Sequence, residues 1–172
     1  YIRKQVEDAP IFEEALKREE AEAETRTSVL DAIKLRPKQV LTAMGLRFSE
    51  NIMYYMVVTF TISYLSGDDF GFSTAHILLL LLVGHAVHVF VVPWCGHLSD
   101  VFGRRPVYLV GVIGAATWGF WAFPLMDTAN DVAVVAAIVL GLIIHAFMYA
   151  PQPSIMSEMF PTRMRYAGVS LG

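Results

Sequence analysis

Cysteine is nearly absent from this chain: Cys95 stands alone among 172 residues. A lone thiol excludes an internal disulfide, and with no partner at ligand spacing it offers no metal site, so packing is its expected role. Formal charge is missing from two long stretches. Ala75–Cys95 and Pro106–Met126 contain no Asp, Glu, Lys or Arg. About 20 such residues in a helix match the ~30 Å hydrocarbon thickness of a bilayer. Apolar residues make up 55% of the chain and charged residues 17%, with a mean hydropathy of +0.50. Soluble domains hold roughly 45 to 50% apolar residues. The expected class is therefore an all-α membrane protein, for which counting spans replaces the arithmetic of soluble domains. The net charge of -3 sums an acidic soluble segment with basic loop ends and gives no reason to expect nucleic acid. With no initiator Met or signal peptide, and with its end inside an apolar start, the chain is expected to be a fragment.

What is present divides the chain. Residues 1–38 are charge-dense and carry no stretch able to span, so they read as a solvated segment with amphipathic helices at Ile11–Ala23 and Ser28–Leu35. Four spans are expected near 39–65, 75–95, 106–126 and 132–153. Residues 154–172 read as a polar turn leading to the start of a fifth span. Eight Lys or Arg lie in residues 1–38, two (Arg104, Arg105) in the 96–106 loop, and two (Arg163, Arg165) after the fourth span. The two intervening loops hold none. By the positive-inside rule, residues 1–38, 96–106 and 154–166 are expected on the cytoplasmic side.

The first span alone carries formal charge inside a hydrophobic run. Arg47, Glu50, Asn51, Tyr54, Tyr55 and Val58 recur at helical spacing and form one stripe, while Phe48, Ile52, Met53, Met56 and Phe60 fill the other side. A charge at a helix centre costs about 2.5 to 3.5 kcal/mol on insertion scales. An Arg and a Glu kept there need compensation. One possibility is that Arg47 snorkels to the interface and neutralises Glu50. The other is that both line a cavity, where Arg47 holds a carboxylate by its planar fork, Glu50 takes up a proton, and Asn51, Tyr54 and Tyr55 supply neutral hydrogen bonds.

His85 and His88 lie three residues apart on the second span. They can shuttle protons in a cavity, and interhelical hydrogen bonding explains them equally well. His145 on the fourth span, with Gly141 and Tyr149 one turn away on either side, has the same two readings. No third ligand shares the register of the histidine pair, so no metal is expected. Gly111, Ala115 and Gly119 form a small-residue stripe for close helix packing. Pro151-Gln152-Pro153 should break or kink the fourth span, because two amide donors are missing. In the turns, Asp100, Arg104 and Arg105 face possible partners in Glu158, Arg163 and Arg165, a set able to latch, and the glycines at 96 and 103 suggest a tight turn and close helix approach.

Gly96-His97-Leu98-Ser99-Asp100-Val101-Phe102-Gly103-Arg104-Arg105 resembles the cytoplasmic signature loop of the major facilitator superfamily, G-x-x-x-D-[RK]-x-G-R-[RK]. Gly96, Asp100, Gly103, Arg104 and Arg105 take their motif positions, and Val101 replaces the usual base. The run from Ser157 to Gly168 after Pro151-Gln152 resembles the corresponding turn of the metabolite:proton symporter subfamily, Val6 to Phe12 the start of its central loop, and Arg47 to Asn51 the opening of its seventh helix. The resemblance implies a partial major facilitator-type helical bundle: the central cytoplasmic loop (1–38), helices seven to ten, and the start of eleven. It further implies proton symport of a small metabolite, with an organic acid suiting Arg47, across the cytoplasmic membrane. The partners it implies are the bilayer and a missing amino-terminal half. Catalysis and cofactors are not expected. A uniporter or sugar-type carrier of the same superfamily and a non-transporting membrane sensor or scaffold are the alternatives.

Overall fold

The computed structural model describes residues 33–67 and 70–160. The expected amphipathic helix at Ile11–Ala23, Arg163, Arg165 and the start of a fifth span all lie outside the described residues, as does all of Ser28–Leu35 before Ile33. What is described is helical: α1 (Pro37–Tyr55), a π-helical turn (Met56–Phe60), α2 (Thr61–Leu65), α3 (Thr74–Phe102), α4 (Arg104–Met126), α5 (Asp131–Tyr149) and α6 (Gln152–Met159).

Three helices among these are long and apolar enough to cross a membrane: Thr74–Phe102, Arg104–Met126 and Asp131–Met159. The first expected span, 39–65, is absent from that set because Lys38, Arg47 and Glu50 lower the hydropathy of the helix there, although α1, the π turn and α2 run on without a gap from Pro37 to Leu65. Two boundaries differ from expectation. The signature segment is not an open loop: α3 continues through Phe102, and only Gly103 separates it from α4. Gly103 has φ +92°, a conformation strained for any residue with a Cβ, so one residue makes the whole turn. The polar turn expected from Ser154 is likewise helical through Met159, because Pro153 falls in the first turn of α6, where an amide donor is not needed.

α5 is the hub, packing against α1, α3 and α4. Its start is fixed by Asn130, whose Oδ1 accepts from the amides of Val132 (2.9 Å) and Ala133 (3.3 Å). Where α4 meets α5 there is no room for side chains: a Cβ on Gly111 would lie 2.6 Å from Met148 Cγ, and one on Gly114 2.9 Å from Ile144. The close approach is thus made by Gly111, as expected, and by Gly114, which the expected stripe left out. Gly119 faces only Phe123 of its own helix. Trp118 reaches from α4 to α5, lying over Gly141 and donating its indole N–H to the Ala137 carbonyl at 3.2 Å. Val57, Leu81, Trp118, Ile138 and Leu142 belong to the core so formed. Leu79, Leu82, Phe90, Ile113 and Phe120 point outward, as expected where lipid replaces water.

Candidate functional site

Helix periodicity turns one side of α1 toward α3 and α5, and a cleft of about 490 Å³ opens between the three. Arg47, Glu50, Asn51 and Tyr54 line it from α1, His88, Val92 and Pro93 from α3, and His145 and Tyr149 from α5. Pro93 sits inside α3, where its ring removes one helical hydrogen bond at the cleft wall.

Glu50 is at the centre and is only 3% exposed. Its Oε2 accepts from Arg47 Nη1 at 3.2 Å, and its Oε1 lies 2.5 Å from His145 Nε2. Arg47 is about half-exposed, so its guanidinium is at once tied to Glu50 and open to the cleft. His145 is 3% exposed, with Tyr149 stacked on it at 5.5 Å between ring centres. Its Nδ1 lies 3.1 Å from His88 Nε2. Burying a carboxylate is costly unless its lone pairs are filled, and here both oxygens are engaged.

The other expected residues divide. Tyr54 reaches His85, with 3.3 Å between the hydroxyl and Nε2, and His85 donates from Nδ1 to the Leu81 carbonyl at 2.8 Å, so this histidine is committed on both nitrogens. Asn51 donates to the Arg47 carbonyl at 3.0 Å. Tyr55 does not join the group. It is 60% exposed and lines a separate groove with Phe48, Ile52 and Thr59. Five residues separate it from Glu50, about 140° around an α-helix, which carries it off the cleft face. His145 as the partner of Glu50 was not singled out by the sequence. The only local signal was one ionisable residue in an otherwise apolar span.

At the basic end, Arg104 donates from Nε to Glu158 Oε1 at 2.6 Å and reaches Asp100 Oδ1 from Nη1 at 3.1 Å. It thereby ties the end of α3 to the start of α4 and to α6. Arg105 is exposed and makes no ion pair among the described residues. The expected close approach at Gly96 is not made among the described residues, where a Cβ would meet nothing within 4 Å. Gln152, at the break between α5 and α6, is buried, and its side-chain amide has no hydrogen-bond partner among the described residues. At the opposite end, Tyr64 donates to Asp127 at 2.6 Å and His76 pairs with Asp131 at 3.1 Å. No group of His, Cys, Asp and Glu able to hold a metal ion occurs among the described residues.

The family profile of the Major Facilitator Superfamily matches residues 9–172. The chain is 31% identical to the proline/betaine transporter of Escherichia coli K12 over 99% of its own length and 35% of the relative's. It is 29% identical to the glycine betaine/proline/ectoine/pipecolic acid transporter OusA of Dickeya dadantii, over 99% of its length and 35% of the relative's. It is 27% identical to the E. coli K12 shikimate transporter, over its full length and 39% of the relative's. The chain therefore spans little more than a third of the relatives it matches. No solved structure matches it significantly. These relatives are transporters rather than enzymes, and with a profile covering nearly every residue and an all-helical bundle built around apolar spans, the chain belongs to the Major Facilitator Superfamily.

Proposed function

We propose that the chain is the carboxy-terminal half of a secondary transporter that carries a small carboxylate-bearing metabolite together with a proton across the cytoplasmic membrane. The observation that carries this reading is the position of Glu50: buried, shared between Arg47 and His145, and on the wall of a cleft of about 490 Å³. Proline, glycine betaine and shikimate, the solutes in the relatives' names, each bear one carboxylate. Arg47 is suited to hold it by a bidentate fork. While Glu50 is ionised it competes for that guanidinium. Protonation removes the competitor and frees Arg47 for the solute, which links proton uptake to solute binding through one shared side chain. Asn51 and Tyr54 supply neutral hydrogen bonds.

Asp100, Arg104 and Glu158 serve as the cytoplasmic latch, with Gly96, Gly103, Arg105, Arg163 and Arg165 at the remaining motif positions. Exposed ion pairs are worth about 0 to 1 kcal/mol each, so such a latch can hold one state and still release in every cycle. The second half of the cavity would come from the amino-terminal bundle.

The test is uptake of labelled proline, glycine betaine and shikimate by vesicles carrying the complete protein. At least one solute should accumulate when the outside is made acidic and only equilibrate without the gradient. Equal uptake under both conditions would make the protein a uniporter.

A further inference from the structure

With Glu50 ionised and His145 neutral, hydrogen-bond accounting sets the tautomers around Glu50. An ionised carboxylate only accepts, so the hydrogen between Glu50 Oε1 and His145 Nε2, 2.5 Å apart, belongs to the nitrogen. Neutral His145 then has a bare Nδ1. That atom can only accept, so the hydrogen in the 3.1 Å contact belongs to His88 Nε2. His88 in turn is left with a bare Nδ1, and His88 lines the cleft. His85 is excluded from the path, since its Nδ1 hydrogen is held by Leu81 and its Nε2 faces the Tyr54 hydroxyl.

We propose that His88, His145 and Glu50 form a proton relay that carries a proton from cleft water through His145 to Glu50, which lies on the cleft wall but is only 3% exposed with both carboxylate oxygens engaged. The proposal rests on the proton-symport reading above. A proton from cleft water binds His88 Nδ1; the His88 Nε2–H bond breaks as a bond forms to His145 Nδ1; the His145 Nε2–H bond breaks as a bond forms to Glu50 Oε1. One proton has been added, both imidazoles end neutral with hydrogen on Nδ1, and Glu50 ends neutral. Each hydrogen bond persists with its direction reversed. The other ionisable groups facing the relay are Arg47 and Tyr54 from α1, His85 from α3, Tyr108 from α4, whose hydroxyl is held by Ser49 and the Leu46 carbonyl, and Tyr149 from α5. Among these only Arg47 hydrogen-bonds to Glu50, and a guanidinium keeps its protons, so it passes none on.

Glutamine can hydrogen-bond in the place of histidine and cannot pass a proton through its amide, so the test compares His145→Gln, His88→Gln and Glu50→Gln in the complete protein. Labelled proline, glycine betaine and shikimate are followed in two assays: uptake driven by an acidic exterior, and exchange at equal pH, which needs no net proton movement. For both histidine variants, driven uptake should fall about 100-fold, the scale on which a positioned proton-transfer group acts. Exchange should keep a third of its rate or more. Native driven uptake in His145→Gln, with uptake lost in Glu50→Gln, would overturn the relay and leave Glu50 as the coupling group. Native driven uptake in Glu50→Gln would instead remove the symport reading. Parallel loss of exchange and driven uptake in both histidine variants would assign the pair to packing or solute binding and also overturn the relay.

Discussion

Glu50→Gln is expected to reduce proton-driven accumulation to simple equilibration while solute exchange persists. Each pH unit across the membrane is worth about 1.36 kcal/mol, or tenfold in concentration. With one proton per solute and the membrane potential clamped, a two-unit gradient therefore supports up to about 100-fold accumulation, and the variant should bring that ratio close to unity. The fold should survive the change. Gln has nearly the shape of Glu, His145 can donate to its amide oxygen, and Arg47 already has access to the cleft. A permanently neutral side chain imitates protonated Glu50, so the loaded carrier can still exchange one solute for another. It has no proton to release, and so no gradient can drive it. The ratio is read from labelled solute inside vesicles at steady state.

Gly111→Leu is expected to cost the protein its fold or most of its thermal stability. The first atom of the new side chain would lie 2.6 Å from Met148 Cγ, 3.0 Å from the Met148 amide nitrogen and 3.1 Å from the Phe147 carbonyl carbon. A methionine side chain can move aside, but the main chain of α5 cannot do so without carrying its contacts to α1 and α3 with it. Overpacking of a core costs about 1 to 3 kcal/mol where side chains can adjust, and the loss should lie at or above the top of that range. Gly45→Leu is the matched comparison, since a Cβ at Gly45 meets nothing within 4 Å. In the complete protein in detergent, the Gly111 variant should melt many degrees below the Gly45 variant. Equal melting temperatures would mean that α4 and α5 do not pack as described.

The class of the protein was legible because it depends on local composition: long runs without charge can only be satisfied in lipid, and basic residues at alternate turns set a consistent sidedness. The stripe on α1 was legible in its middle, where Arg47, Glu50 and Tyr54 lie within one sector of the helix, and failed at its edge with Tyr55. The extent of the signature turn was misjudged because polar side chains such as Asp100 are compatible with a helix that has left the hydrocarbon layer. Gly103, with its positive φ, is the one residue there that breaks the helix. The pairing of Glu50 with His145 was out of reach, since it joins residues 95 apart and leaves no mark on the sequence near either. The same applies to Gly114 and Trp118, whose roles are set by what α5 presents to them.

Solute protection at the cleft tests the central claim most directly. Val92 lines the cleft with Arg47 and Glu50. Val92→Cys, placed in a complete protein otherwise freed of cysteines, including Cys95, is treated with a charged methanethiosulfonate reagent with and without saturating transported solute. The predicted result is that solute slows modification severalfold, because the same cleft holds both. Modification at one rate whether or not solute is present, in a protein that still transports, would contradict the account.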